Sequence, residues 1–447
     1  MSEPSTAQEL RETLRLAAPI ALAQFGFVGL SLVDTAVVGA TSTSALAGAS
    51  IGRSMVFAFV SFGLGLSSVI EPLAAQAIAA GELDRAWRSL LRTLFANLLA
   101  WPILVLCTYL ATMALPLVGV DAETLAAARS FILGQVPGML FFPWFIAAKA
   151  FLQAHGQTTP ALLAALAANL VNWVSCNLLV RGDDALALVG IGPIGFAGWS
   201  TFGAGLAGSI ANLVLFAWLW PACRRHRALG TTPPPTFAHI YALGLPMGLQ
   251  FLAEIGVFSM ISFLAARFGR DAVAAHQVAL GLASFTFMGA LGVSGATAVR
   301  VGRAVGQGRS ARRAGMVGIL VGGAVMSIGI VLFTLFPAQL LGLFTEDPQV
   351  IAIGVPLMRL AAIFQFFDGI QVVSAGALRG AGDVRFPFVA NVVSHWMVGL
   401  PTALLLGFHF GMQTHGFWIG LSVGLVSVAL AMSARFYRLS GRVLKRV

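Results

Sequence analysis

The sequence predicts an all-α polytopic membrane protein whose twelve transmembrane helices form two six-helix, pseudo-symmetric lobes. Three observations predict it. With 58% hydrophobic and only 10% charged residues and a mean hydropathy of +0.88, the chain has far too little polar surface for a soluble globule. Apolar runs long enough to cross a bilayer, about 20 residues each, recur at 15–39, 47–78, 88–115, 125–152, 158–180, 194–222, 238–267, 272–302, 314–340, 350–378, 386–409 and 414–437. The chain also repeats itself. Pro19 matches Pro246 and Ser67 matches Ser294, both 227 residues apart, with Ala45-Leu46-Ala47 matching Ala272-Val273-Ala274 in that register. Leu152–Gln157 aligns with Leu378–Asp383, and Gly195-Phe196 with Gly416-Phe417. Six crossings is an even number, so both copies run the same way through the membrane, related by an axis along its normal, as in secondary transporters.

The segments follow from these runs. Residues 1–14 are mixed in charge and amphipathic, lack the pattern of a cleaved signal, and read as a cytoplasmic N-terminal tail before a retained first helix. Residues 15–222 form the N-lobe, helices 1–6, and 238–438 the C-lobe, helices 7–12. Between them lies a cytoplasmic linker, 223–237, extended at Pro233, Pro234 and Pro235, and 439–447 is a basic cytoplasmic tail. One set of helix ends gathers Arg85, Arg88, Lys149, Arg224, Arg303 and Arg379, while the other holds few basic residues, Arg53 and Arg181 among them, beside Asp121, Asp183 and Asp184. The positive-inside rule then puts both termini in the cytoplasm of a multi-pass plasma (inner) membrane protein. The net charge of +10 is scattered between apolar runs and forms no stripe, which argues against nucleic acid as a partner. Cys107, Cys176 and Cys223 stand singly, with neither metal-ligand spacing nor a disulfide framework. A monomer in the lipid bilayer is expected.

Within the helices the informative residues are the rare polar ones, because an ionised side chain at lipid depth costs about 2.5 kcal/mol or more unless paired or hydrated. In the first helix Phe27, Ser31, Asp34 and Val38 share a face, which gives the acid a hydroxyl neighbour. The second carries Glu71 before Pro72 near its cytoplasmic end, either an interfacial partner of Arg85 or Arg88 or a proton relay. Pro102, Pro137 and Pro143 interrupt the third and fourth runs without disqualifying them, since neighbouring helices can satisfy freed backbone groups. Asn169, Asn172 and Asn177 in the fifth, with Ser200 and Thr201 in the sixth, either hold helices together or lend neutral oxygens to a cation beside Asp34. The seventh repeats the order of polar, acid and aromatic residues with Gln250, Glu254 and Phe258.

His276 in the eighth helix and His395 in the eleventh are open either to a proton-relay role or to a helix–helix hydrogen bond. Gly292-Val293-Ser294-Gly295 has the GxSG form of intramembrane serine proteases, but His276 precedes the serine, opposite to that family's order. Ser67, the repeat partner of Ser294, has Ala49 where that histidine would stand, so small-residue packing explains Ser294 better. In the tenth helix Phe364, Asp368, Gln371 and Ala375 share a face that should look into protein or water, because lipid offers Asp368 no partner. The helix then runs into Leu378-Arg379-Gly380-Ala381-Gly382-Asp383, where glycines allow a turn and charges mark a return to water. Phe25, Phe27, Phe364, Phe366 and Phe367 surround the acidic faces, where some can hold an aromatic or cationic ligand. With no HExxH, no GxxxxGK[ST] and no Cys/His cluster, the chain reads as neither a zinc protease nor an ATP-driven pump. No enzyme activity and no cofactor are expected.

These residues resemble the multidrug and toxic compound extrusion (MATE) exporters, most closely their NorM-type branch. The resemblance is carried by Val33-Asp34-Thr35 with Gly39, Glu71-Pro72 through Gln76, Phe251 through Glu254, Ala274 through Leu280, Phe364 through Asp368, Leu378-Arg379-Gly380 with Gly382-Asp383, and Trp396 through Pro401. It implies two lobes around a V-shaped central cavity, and export of amphipathic, often cationic, drug-like small molecules coupled to entry of H+ or Na+. It also implies that Asp34 is the coupling acid of the N-lobe, with Asn172 at a position the family gives to Asn or Asp, and that Glu254 and Asp368 are the cation-binding acids of the C-lobe. The chain departs from the pattern at Ala168, where Asn is usual, and at Glu71, where a small neutral residue is usual. Phe27, Ser31, Gln250, Phe258, Phe364 and Gln371 become candidates for the substrate cavity. Glu71, His276 and His395 are left as candidate proton relays. The reading leans to H+ at Asp34, with Na+ at Glu254 and Asp368 as the alternative or an addition. A flippase or exporter of a lipid-linked or endogenous metabolite is the rival reading, to which the related superfamily lends weight.

Overall fold

The computed structural model describes residues 5–187, 190, 192 and 195–447, apart from the side chains of Val28, Ser31, Leu32 and Val118. Ser31, a candidate on the first-helix face, thus lies outside the described side chains. Helices take almost all of the described chain: α1 (Thr6–Gly39), α2 (Thr43–Ser68), α3 (Ile70–Ala79), α4 (Leu83–Ala111), α5 (Ala122–Gln135), α6 (Gly138–Ala154), α7 (Thr159–Arg181), α8 (Asp183–Ala187) and α9 (Ser200–Arg225). After the linker come α10 (Phe237–Ala265), α11 (Arg270–Gly306), α12 (Arg312–Leu335), α13 (Pro337–Gly342), α14 (Pro348–Gly380), α15 (Arg385–Val392), α16 (Leu400–Leu404) and α17 (Gln413–Leu439). Among the described residues ten spans are long and apolar enough to cross a membrane, and α5 with α6, bent by 47° at their junction, makes an eleventh. Together with α1, 34 residues long, they correspond one for one to the twelve apolar runs.

Two boundaries and one internal turn differ from the sequence expectation. α1 begins at Thr6, inside the segment read as a tail, because Glu9 and Glu12 both pair with Arg300 and dock its first turns. The sixth run does not enter its helix until Ser200, since Gly195 and Gly198 take φ of +85° and +78°, which a helix cannot use. A Cβ on Gly198 would also sit 2.5 Å from the Val180 carbonyl oxygen. The eleventh run contains a π-turn, Val393–Gly399, in which Leu400 N–H donates to the His395 carbonyl five residues back. Pro401 explains it: its ring crowds the carbonyl four residues earlier, and the wider turn relieves the clash.

Two compact units emerge from the packing. One comprises Met1–Gln24, Glu71–Glu82 and Leu249–Val447, the other Phe25–Ile70 and Leu83–Gly248. The helices holding the repeat-matched Pro19 and Pro246, α1 and α10, each contribute residues to both. In the second unit α9 packs on α5, α6 and α7, α2 packs on α5 and α6, and α4 packs on α6. In the first, α14 packs on α11, α12 and α17, and α17 packs on α16. The fourth helix of each copy thus touches the second, third and sixth, and the fifth touches the sixth. Matched serines make the matched bond: Ser67 Oγ donates to the Pro143 carbonyl at 2.7 Å and Ser294 Oγ to that of Val372 at 2.7 Å. Gly205 of α9 lets the backbones approach, since a Cβ there would meet the Phe131 carbonyl oxygen of α5 at 2.2 Å.

The α5–α6 bend shows how a membrane helix survives a proline. Pro137 cannot donate, and the break frees the Gly138 N–H and the Gly134 carbonyl. Ser209 of α9 serves both, its Oγ accepting from Gly138 N at 2.9 Å and donating to Gly134 O at 2.8 Å. Trp101 Nε1 donates to the Val136 carbonyl at 2.9 Å. These bonds meet three backbone groups that the bend would otherwise leave to lipid.

Candidate cation and substrate site

Asp34 lies five residues before the end of α1 and is 8% exposed. Asn172 of α7 donates its Nδ2 to Asp34 Oδ1 at 2.9 Å and to the Leu30 carbonyl at 3.3 Å, and its own buried Oδ1 has no donor among the described residues. Arg53 of α2 faces the other carboxylate oxygen at 3.5 Å and also donates to Thr35 Oγ1 at 3.2 Å. The negative charge is therefore compensated within the unit. The neighbouring amides do not join this group. Asn169 ties α7 to α1 through the Gly26 carbonyl at 2.7 Å, and Asn177 bonds to Trp173 O of its own helix. Phe27 stands edge-on to Phe145, centroids 5.4 Å apart.

The other unit gathers a second acidic group from three helices. Glu254 on α10 is half-buried and accepts from Asn391 Nδ2 of α15 at 3.2 Å. Asp368 on α14 is 8% exposed and close enough to Glu254 for the two carboxylates to act on each other electrostatically. Gln250 is buried one turn before Glu254, and Gln371 is buried one turn after Asp368. Two amide oxygens, Asn391 Oδ1 and Gln371 Oε1, are buried with no donor. Carboxylates and unpartnered carbonyl-type oxygens are what a hard cation takes as ligands. Phe258 and Phe364 pack edge-on against each other at 6.0 Å, and Phe364 packs on Trp418 at 5.6 Å, so Phe364 is 3% exposed and belongs to the core.

Glu71 does not pair with Arg85 or Arg88. Its Oε2 accepts from Arg379 Nε at 3.1 Å, and Arg379, which the sequence reading returned to water, is 7% exposed. The long side chain leans back along α14, as helical side chains do, reaches α3, donates to Ser294 Oγ at 3.3 Å and acts electrostatically on Glu254. His276 and His395 part company. Trp418 Nε1 donates to His276 Nδ1 at 3.2 Å, so His276 Nε2 carries the proton and donates to Ser262 Oγ at 3.0 Å. Both nitrogens of His395 are buried without a hydrogen-bond partner, so it makes no helix–helix bond of the kind expected. With His276 so engaged and Ser294 committed to Val372 O, His276 and Ser294 do not pair with each other.

The MatE family model matches residues 19–178 and again residues 246–405, the register of the repeat. The chain belongs to the MatE family. MatE proteins are transporters and not enzymes, so this chain is a multi-pass membrane transporter. It is 35% identical to the probable multidrug resistance protein NorM of Deinococcus radiodurans, covering 97% of this chain and 96% of that one. It is 33% identical to that of Bradyrhizobium diazoefficiens, covering 98% and 95%. Solved structures share the MatE fold: the eukaryotic MATE transporter AtDTX14 (TM-score 0.83, 20% identity, 98% of each chain) and the Vibrio cholerae MATE transporter VcmN in the bent form (TM-score 0.84, 18% identity, 97% of each). Sequence reasoning missed Arg53 and Asn391 in this MatE chain. Both carried the signal that exposed Asn172, a polar side chain within an apolar run.

Proposed function

We propose that this MatE chain is a secondary active efflux antiporter that exports amphipathic, often cationic, drug-like compounds in exchange for H+ or Na+. One observation carries the reading: Glu254 and Asp368 are mutually repelling acids beside two buried oxygens, Asn391 Oδ1 and Gln371 Oε1, that lack donors. An entering cation relieves the repulsion and gives those oxygens a partner. Each elementary charge moved inward gains roughly 2.3 kcal/mol per 100 mV, enough for either ion to drive export. Asp34 works by a different balance, because Arg53 and Asn172 already hold it. A proton arriving there competes with Arg53, so protonation releases the ion pair and frees Asn172. In this reading lobes 15–222 and 238–438 lie in the plasma (inner) membrane with both termini cytoplasmic, and the multidrug names of the NorM relatives support the substrate class.

The test is efflux of a cationic dye from proteoliposomes under a pH gradient without Na+, and under a Na+ gradient at equal pH. Export is expected under at least one gradient, lost in Asp368→Asn and reduced in Asp34→Asn. Wild-type export no faster than from protein-free liposomes under both gradients overturns the antiporter. Transport under the Na+ gradient alone removes the proton from Asp34.

A further inference from the structure

We propose that the start of α12 and the end of α17 form a binding site for the phosphate headgroup of an anionic phospholipid, held by Arg309, Arg312, Arg438 and Arg442. Both helices are spans, so the cluster lies where the chain meets the headgroup region. The loop before α12 is tied to α17, with Ser310 Oγ donating to the Ser440 carbonyl at 3.3 Å. Arg312 reaches across the end of α17. Its Nη2 donates to the Tyr437 carbonyl at 3.0 Å, its guanidinium lies 4.2 Å from the Tyr437 ring centroid, and its Nε is buried with no acceptor among the described residues. Arg309 is oriented by Gln307, whose Oε1 accepts from its Nε at 3.0 Å and from its Nη2.

Charge at this end of the unit is unbalanced. The described acids there, Glu9, Glu12, Glu71, Glu82 and Asp383, each already face an arginine, and Arg309, Arg312, Arg438 and Arg442 have no carboxylate partner among the described residues. The helix dipole adds to the excess. It favours anions at a helix N-terminus and disfavours cations, yet the first turn of α12 has no acid and opens with Arg312 and Arg313 behind Ala311, which has no side chain to cap with. A phosphate answers both, taking charge-assisted, bidentate bonds from guanidinium groups at the positive end of a helix. The surface of α17 points to a lipid as the source of that phosphate. Val423, Leu430 and Tyr437 recur at seven-residue spacing, hence on one helical face, and are 38%, 61% and 51% exposed. This apolar stripe runs up to the arginines, so an acyl chain lies along it while the headgroup meets the guanidinium groups, as in a basic interfacial lipid site.

The site is independent of the efflux reading, and its test measures lipid binding alone. The full chain in detergent is incubated with equimolar dioleoylphosphatidylglycerol and dioleoylphosphatidylcholine, and the retained lipid is counted by native mass spectrometry. Wild type should retain the anionic lipid over the zwitterionic one by about tenfold or more. Arg312→Gln, and Arg438→Gln combined with Arg442→Gln, should cut that preference by about fivefold for each arginine removed. Because Arg312 also ties two helices together, the paired variant carries the test should Arg312→Gln fail to fold; Arg438 and Arg442 are exposed and their side chains hold nothing among the described residues. Arg225→Gln, an exposed arginine ending α9, should leave the preference intact. Equal retention of the two lipids by wild type, an unchanged preference in the paired variant, or the same loss in Arg225→Gln overturns the proposal. Excess inorganic phosphate, added before buffer exchange, should leave the lipid in place; complete displacement would make this a phosphate site and defeat the lipid assignment.

Discussion

Arg379 sits one residue from the end of α14, in a stretch of glycines and charges that reads as a surface turn, yet its guanidinium is sealed between α3 and α11 against Glu71 and Ser294. Breaking such a pair leaves a charge without its partner and costs about 3–5 kcal/mol, whereas removing both partners costs much less. Glu71→Gln and Arg379→Met are therefore each expected to lower the thermal unfolding temperature in detergent strongly, and Glu71→Met with Arg379→Leu to recover most of the loss. Equal, additive losses would reduce the pair to two unrelated side chains. At the other acidic group, Asn391→Ala removes both a donor to Glu254 and an unpartnered oxygen. It should weaken the coupling cation by about tenfold, measured as the ion concentration giving half-maximal efflux. The acids were legible in the sequence because a carboxylate in an apolar run is conspicuous at any position. Their partners were not. Glu71 and Arg379 are 308 residues apart, and the sequence offered Arg85 and Arg88, near in the chain but not in space.

Among the elements, the α5–α6 junction shows what a run of hydropathy conceals. Pro137 announced a disturbance, but nothing local announced that Ser209, on another helix, would repair it. Ser209→Ala leaves two buried backbone groups unmet and is expected to destabilise by about 1–3 kcal/mol for each, read as a lower unfolding midpoint. A midpoint unchanged from wild type would mean the bend is satisfied some other way. The start of α9 was misjudged for the opposite reason. Gly195 and Gly198 stood in the sequence as stop signals, but the apolar residues around them extended the run past the break. Gly198→Ala, forced into a left-handed φ with its Cβ against Val180 O, should destabilise, while a glycine with no described atom near its Cβ direction, such as Gly281, should accept alanine freely.

For the whole molecule, composition and the 227-residue repeat carried the fold, because membrane solvation leaves so few architectures for a chain this apolar. The family matches at 19–178 and 246–405 fall in that same register. What composition cannot report is which helices pack together, since any apolar face suits any other. The sharing of α1 and α10 between packing units was therefore invisible until the structure. Orientation is an expectation that labelling can check. In a background lacking Cys107, Cys176 and Cys223, a cysteine replacing Asp183 should react with an impermeant maleimide from outside, and one replacing Thr231 should not. The reverse pattern would invert the topology.

The π-turn before Pro401 carries one residue more than an α-helical path between α15 and α16 needs. Faces counted by a single helical period across 385–404 therefore slip out of phase within the turn, like a reading frame after an insertion. Deleting Met397 alone would press Pro401 back against an α-helical carbonyl and should fail to fold. Deleting it together with Pro401→Ala should restore both the frame and a plain helix. The deletion alone is the harsher lesion.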